Sequence, residues 1–370
     1  MTELPMPSDV KRAAATGATT SSAAASRSNE TLVEPPSVKL IVRLFLIPLL
    51  IVGAAVGVMM LISLLAGSGA SFEEALQRFK NPGGARTADW LVGPAAKQRY
   101  LDAQTLVNQM KSGMNEAQRV ALARELSDVL ANHVRPDEGE VQHFVLLALG
   151  RVWQRDPSQP PINSSEAAES RKSVVQTLLQ YTDAPQLPTR KAAVLATVYL
   201  AGYDEAEQAI PKLLSKLGDS SEDIDVRIAA ATALGPLAKP TDQRVIDALH
   251  GAMRDTDPRN IELVWSSALS LAQLGQADVS DTILLLLDRS ELAQVKVLDR
   301  EQDPRNPTFR TLSDKEIERI LINTMLGARG LKVDAVKQQI RKVAQTDPSV
   351  RVRAAGQEIL RGATAVESAG

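Results

Sequence analysis

The residue types that most often carry acid–base, nucleophilic or metal chemistry are scarce in this chain. It has 3 histidines and no cysteine among 370 residues, so it can form no disulfide, no thiolate metal site and no cysteine nucleophile. His143 lies within an apolar helical segment, and His133 and His250 lie near helix ends, where an imidazole interacts with the helix dipole. The motifs H-E-x-x-H, G-x-S-x-G and G-x-x-x-x-G-K-[ST] are absent. We therefore expect no catalytic residue, no cofactor, no metal ion and no enzymatic activity.

The overall composition favours helices and a protein without a strong electrostatic preference. The 42 basic and 44 acidic residues give a formal net charge of -2, so the sequence predicts no nucleic-acid partner. Hydrophobic residues make up 44% of the chain, which is typical of a folded protein. Aromatic residues make up only 3%, which favours helices packed through Ala and Leu over a β-sandwich or a barrel.

A long uncharged segment predicts a membrane anchor. Residues 44–66 (LFLIPLLIVGAAVGVMMLISLLA) contain no charged side chain. A helix of that length spans about 35 Å, which exceeds a hydrocarbon core of about 30 Å. We therefore expect a single transmembrane helix within 38–67, preceded by a disordered tail at 1–37 that is rich in Ala, Ser and Thr.

Residues beside and inside this segment predict its orientation and its packing. Lys39 and Arg43 precede it and acidic residues follow it, so we expect a single-pass protein of the cell membrane with its N-terminus in the cytoplasm and its remainder outside. Gly53 and Gly57 form a G-x-x-x-G pair, which lets two helices pack closely and could produce a homodimer through the membrane span. Such pairs are also common in membrane helices that do not dimerise, so both interpretations stay open.

Self-similar segments indicate a repeat architecture in the rest of the chain. Residues 225–235 (DVRIAAATALG) and 140–150 (EVQHFVLLALG) share an acid–Val opening and an A-L-G ending, and looser copies follow. The residue at the Leu position of this ending falls at 149, about 198, 234, 269, 326 and 360, which indicates a unit of about 35 residues with two insertions. Each copy follows another apolar helical segment, so the unit is a helical hairpin, which buries its apolar face only by stacking.

These residues resemble HEAT repeats, in particular the short bacterial type that also occurs in phycobilisome lyase-like proteins. The clearest unit spans 209–238, where I-P-x-L-L precedes D-V-R-x-A-A-x-x-A-L-G, and the resemblance extends over roughly 115–362. It implies an all-α fold, an α-solenoid of about six HEAT-like hairpins that serves for binding and supplies no catalytic residue. Gln142 and Glu262 occupy positions where the pattern has Arg, so a continuous row of Asp–Arg pairs along the repeats would be interrupted there. Arg227 matches the pattern and is expected to bridge to the next unit.

The sequence thus predicts five segments. They are a disordered tail at 1–37, a transmembrane helix within 38–67, a linker with capping helices at 68–112, the repeats at 113–362 and a disordered C-terminus at 363–370. Within the repeats, Trp153 and Trp265 lie in apolar segments and are expected in the core. A capping box, S-D-K-E at 313–316, predicts the start of a helix.

The two insertions are the best candidates for contacts with a partner, because extra loops in a repeat protein lie at its edges. The first, 154–165, is rich in Pro and Ser and is typical of a linker. The second, 290–312, is unusually long for a connection inside a compact repeat and is either a binding element or a disordered loop. Its candidate partner-binding residues are Lys296, Arg300, Arg305 and Arg310.

The sequence therefore predicts a membrane-anchored helical-repeat scaffold that binds a protein partner without catalysis. The resemblance to lyase-like proteins implies an alternative, an accessory or chaperone-like factor that presents a client for modification. A third interpretation is a structural element that assembles through its membrane span.

Overall fold

A computed structural model of the chain describes residues 72–80, 94–108, 114–155, 162–299 and 308–367, all within one unit that spans Ser68–Gly370. These residues are mostly helical, as predicted. The α-helices are α1 (Phe72–Lys80), α2 (Pro94–Asn108), α3 (Glu116–Asp128), α4 (Gly139–Arg151), α5 (Ser165–Tyr181), α6 (Leu187–Ala196), α7 (Ile210–Gly218), α8 (Ile224–Leu237), α9 (Gln243–Met253), α10 (Ile261–Gln273), α11 (Ser280–Leu286), α12 (Arg289–Gln294), α13 (Asp314–Ala328), α14 (Asp334–Thr346) and α15 (Val350–Glu367). The strands are β1 (Lys296–Leu298) and β2 (Phe309–Thr311).

Consecutive helices form hairpins that pack side by side. The second helices of the hairpins, here called the inner helices, are α2, α4, α6, α8, α10, α13 and α15, and each packs against the next. The described residues contain one more hairpin than the six or so that were expected, because α1 and α2 also form a hairpin, and α2 packs against α4. At the other end, α15 continues to Glu367, into the segment predicted to be a disordered C-terminus.

Small residues let neighbouring inner helices approach closely. An ideal Cβ placed on Gly150 of α4 would lie 2.4 Å from the carbonyl oxygen of Ala196 in α6. Gly235 of α8 likewise faces α10, where its Cβ would lie 2.8 Å from Ser270 Oγ, and that hydroxyl donates to Ala231 O at 2.7 Å. The Ala and Gly positions of the repeat pattern therefore set the helix spacing, which leaves no room for a larger side chain.

Burial in the structure corrects the repeat register in two copies. The sequence pattern places the recurring apolar residue at Leu269 and Leu326, but Leu269 is only half-buried and Leu326 is 48% exposed. The nearby residues Leu271 and Met325 are instead fully buried. Both registers put an apolar residue at the matched position, so the sequence pattern alone could not distinguish them.

A polar side chain near the start of the inner helix fastens the turn of four hairpins. It donates to a backbone carbonyl at the end of the preceding helix or in the connection that follows, where carbonyls lack an intrahelical partner. The prediction that Arg227 bridges to the next unit is therefore wrong, because its bond closes its own hairpin. The four bonds are Gln142 Nε2 to Arg135 O (2.9 Å), Arg190 Nη1 to Ala184 O (3.0 Å), Arg227 Nε to Leu217 O (3.2 Å) and Arg353 Nη1 to Pro348 O (3.1 Å).

A buried arginine ties three neighbouring segments together. Arg171 of α5 is 3% exposed and donates from Nε and Nη2 to the two carboxylate oxygens of Glu205, both at 3.0 Å. Its guanidinium carbon lies 5.3 Å from the ring centroid of Trp153 and 4.3 Å from that of Tyr203. Trp153 is fully buried, so its predicted place in the core is confirmed.

The second predicted insertion contains a short helix and a β-hairpin rather than an irregular loop. After α12, strands β1 and β2 pair antiparallel, with Val297 opposite Arg310. Leu292, Val297 and Leu312 are buried and anchor the segment to the helices. Two strands of three residues are too short to show a period in the sequence, so only these long-range contacts select the hairpin. Residues 300–307 lie outside the described part of the chain.

No helix in the ranges that the structure describes is both long and apolar enough to cross a membrane. The predicted span within 38–67, with Gly53 and Gly57, and the tail at 1–37 lie outside those ranges. The membrane anchor, its orientation and the homodimer therefore stay predictions.

Candidate binding groove

A groove of about 590 Å³ lies over the consecutive inner helices α6, α8, α10 and α13. On the last three of these helices the lining residues are spaced i, i+3, i+4 and i+7, so each set occupies one helix face. The repeat therefore places the same face of successive helices along one surface. The sets are Asp225, Ile228, Ala229 and Thr232 on α8; Glu262, Trp265, Ser266 and Leu269 on α10; and Glu316, Arg319, Ile320 and Asn323 on α13.

The bottom of the groove is apolar. We define the apolar floor as Leu195, Ile228, Trp265, Leu269 and Ile320, which come from four successive inner helices. Trp265 is 7% exposed and the other four are half-buried. Trp265 therefore takes the buried position expected from the sequence, but its ring also borders the groove. An apolar floor with partly accessible side chains resembles the core of a protein–protein interface.

The β-hairpin contributes to the lining of the groove. Leu298 and Asp299 line it from the first strand and its end, and Arg310 lines it from the second strand. Arg310 forms a bidentate pair with Glu316 of α13, with Nη2–Oε1 at 2.7 Å and Nη1–Oε2 at 2.8 Å. This pair holds the pKa of Glu316 at about 2, below its ordinary value of 4.5, although partial burial opposes the shift. The pair therefore fastens the hairpin to α13 beside the groove.

A second ion pair lies near the other end of the groove, and an acidic residue lies between the two. Lys191 Nζ is 2.9 Å from Asp225 Oδ2, which links α6 to α8. Glu262, in the first turn of α10, is half-buried, and this burial raises the pKa of its carboxyl group. The positive charge of Arg319 partly offsets this effect. A carboxylate with a raised pKa in such a place is stabilised by a nearby cation.

The structure places the residues predicted from the second insertion in different environments. Arg310 lines the groove, whereas Lys296 is exposed on β1 and does not line it. Arg300 and Arg305 lie outside the described ranges. The sequence analysis missed Glu262 and Arg319 as groove residues. Glu262 lies three residues before Trp265, and Arg319 lies three residues after Glu316, so helical spacing along one face is the signal that could have found them.

The three histidines are distributed over the structure and have structural neighbours. His143 Nδ1 lies 3.3 Å from Pro188 O, His133 Nε2 lies 3.5 Å from Asp128 Oδ2, and His250 Nε2 lies 3.4 Å from Asp278 Oδ2. Over the described ranges, no group of three or more His, Asp or Glu side chains is arranged to hold a metal ion.

Some of the helices that form the groove are similar to a known protein family. Residues 210–296 match the family model described as HEAT repeats. This segment is similar to HEAT repeats. It runs from α7 to the first residue of β1, so it includes the groove residues of α8 and α10. A comparison with curated proteins found no similar one. The likeness to HEAT repeats is thus confirmed for this segment, and the phycobilisome lyase-like subtype stays a prediction.

Proposed function

We propose that this protein is a membrane-anchored α-solenoid that binds a segment of a partner protein in the groove and catalyses no reaction. The observation that carries this proposal is the groove itself. It combines an apolar floor with a charged edge on four successive inner helices. Stacked helical repeats commonly present such extended surfaces to other proteins, and HEAT repeats commonly act as interaction scaffolds.

Site-specific photo-crosslinking tests whether a partner occupies the groove. A photoreactive amino acid replaces either Thr232 or Asn323, both exposed in the groove, or Ser215, which is exposed on α7. In cells that make the full-length chain, we expect the two groove positions to capture the same protein. Ser215, the matched control, should not capture it.

Further experiments test whether capture in the groove is specific. Mass spectrometry of the crosslink identifies the partner peptide, and the synthetic peptide should compete with capture at both groove positions. Thr232→Trp should abolish capture at Asn323, because a large side chain fills the groove, whereas Ser215→Trp should leave it unchanged. Equal capture from the groove and from α7, or no competition by the peptide, would contradict the proposal. A partner whose covalent modification depends on this chain would favour the accessory-factor alternative.

The membrane anchor in this proposal rests on the uncharged segment 44–66. We expect the full-length chain to remain in membranes after extraction at alkaline pH, and a variant without 44–66 to be released. Protease protection of intact cells should leave the N-terminal tail protected and the repeat unit accessible, as the charge bias predicts. A full-length chain that is released by alkaline extraction would contradict the anchor. It would leave the groove proposal unaffected.

A further inference from the structure

We infer that the partner segment places one large apolar side chain over α8 and α10, and that the small residues Ala229 and Ser266 set the size of the side chain that fits there. This inference rests on the proposed function and adds the residues that determine specificity. It follows from the side-chain sizes at matching positions of successive inner helices and from the apolar surroundings of those positions.

Matching positions of the groove differ in size from helix to helix. Each of the three lining sets has four residues, and the third residue of each set occupies the same place on its helix face. This third residue is Ala229 on α8, Ser266 on α10 and Ile320 on α13. Because α8 and α10 pack against each other, their two small residues lie on neighbouring helices. The groove therefore has room for an incoming side chain over this pair of helices, and the larger Ile320 reduces that room over α13.

The inner helix α4 carries a large side chain at the same place. The repeat aligns residues 140–150 with 225–235, so Phe144 corresponds to Ala229. Phe144 is half-buried and does not line the groove. Its ring makes an edge-to-face contact with the ring of Tyr100 in α2, with the two centroids 5.3 Å apart. A side chain of the protein itself thus covers α4 at the place where alanine leaves a groove over α8.

The surroundings of the two small residues favour an apolar side chain. Ile228 and Trp265, which directly precede them, belong to the apolar floor. Leu269, also in the floor, lies three residues after Ser266. The hydroxyl of Thr232 donates to Ile228 O at 2.8 Å, so it needs no polar group from the occupant. A large apolar side chain would be surrounded by apolar groups here, as the residues that dominate binding at protein interfaces are. A charged side chain would be partly desolvated, which is unfavourable.

A display library of randomised peptides of about 16 residues, long enough to reach across several helices, provides the probe. It is selected against the full-length chain in detergent micelles, and clones that also bind the Thr232→Trp variant are discarded as groove-independent. We expect each remaining peptide to contain one position, the anchor, where a large apolar residue is essential. Replacing the anchor with Ala should weaken binding to the unsubstituted chain about thirtyfold, because most of its apolar surface is buried in the complex.

Filling the site from the side of the protein distinguishes direct contact from an indirect effect. Ser266→Leu should weaken binding of the selected peptide about tenfold, because the added side chain occupies the room for the anchor. The peptide with Ala at the anchor should bind Ser266→Leu at least as well as it binds the unsubstituted chain, since a small side chain avoids the clash. Ser215→Leu on α7 and Phe144→Leu on α4, the controls, should leave both affinities unchanged.

Thermal melting of each variant shows whether the fold is retained. Ser266→Val adds less volume and should shift the preference in the same direction by a smaller factor, so it replaces Ser266→Leu if that variant does not fold. Groove-dependent peptides without an essential large apolar residue, or with unchanged affinity for the folded Ser266 variant, would overturn this inference and leave the proposed function intact. A selection that yields no groove-dependent peptide would overturn both.

Discussion

Gly150 is the position where the close packing of inner helices can be tested most directly. Its missing side chain lets the backbone of α4 lie against the end of α6. A Cβ at this position would stand 2.4 Å from Ala196 O and 3.1 Å from Ala196 C, whereas an ordinary contact begins at 3.4 Å. Because both atoms belong to the backbone, they cannot rotate away. Gly150→Ala therefore requires α4 and α6 to separate by about 1 Å.

The expected cost follows from two opposing effects. Overpacking a well-packed region lowers the free energy of unfolding by about 1–3 kcal/mol. The higher helix propensity of alanine returns at most about 1 kcal/mol, and less near the end of a helix such as α4. We therefore expect Gly150→Ala to lower the free energy of unfolding by about 2 kcal/mol, which lowers the melting temperature of the unit Ser68–Gly370 by roughly 3 °C.

The assay is far-ultraviolet circular dichroism of the full-length chain in detergent micelles, followed during heating. Gly251 of α9 is the matched control, because a Cβ placed there meets no atom within 4 Å. Gly251→Ala should raise the free energy of unfolding by up to about 1 kcal/mol through helix propensity alone. The two substitutions should thus have opposite signs. If Gly150→Ala were as stable as Gly251→Ala, the argument that the repeat spacing depends on this glycine would be wrong.

Three further substitutions test other contacts, each by chemical unfolding of the full-length chain. Arg171→Ala should lower the free energy of unfolding by about 3 kcal/mol, because it leaves the partly buried Glu205 carboxylate without its partner. The double variant that also carries Glu205→Gln should recover part of this loss. An unchanged stability of Arg171→Ala would contradict the role of the pair. The pKa of Glu316 in the folded chain, about 2, lies below its ordinary value of 4.5, so its pair with Arg310 contributes stability above about pH 4.5 that is lost as the pH falls toward 2. Glu316→Gln should therefore make the free energy of unfolding depend less on pH between about 4.5 and 2. A profile that matches the unsubstituted chain would refute the stabilising role of the pair with Arg310. Arg227→Met should lower the free energy of unfolding by about 1 kcal/mol, because the carbonyl at the end of α7 loses its donor while the aliphatic part of the side chain is kept. A larger decrease than for Arg171→Ala would contradict our view that Arg227 fastens only one turn.

Several features could be predicted from the sequence because short-range interactions determine them. The capping box at 313–316 predicts the start of α13, and the structure shows both of its reciprocal bonds, from Ser313 and from Glu316. Helical hairpins also follow from the apolar spacing, since each helix must bury one face. These features depend on residues within one or two helical turns of each other, so a single short segment of sequence is enough to predict them.

Register and the secondary structure of the second insertion could not be predicted in the same way. Two apolar residues near the end of α10, Leu269 and Leu271, give two plausible alignments, and only packing against neighbouring helices selects the buried one. The strands of the insertion are likewise held by buried anchors such as Val297 and Leu312 rather than by their own pattern. In both cases the deciding contacts join residues that are distant in sequence.

The sequence by itself determined the helical hairpins, their approximate repeat and the likeness to HEAT repeats, because side-chain periodicity and caps are local properties. Only the tertiary structure decided that Glu262, Trp265 and Arg319 share one groove with Arg310 of the β-hairpin. These residues come together because the stacking of inner helices aligns equivalent faces of different repeats. The side chains at those faces differ from copy to copy, so their shared surface exists only once the hairpins have packed.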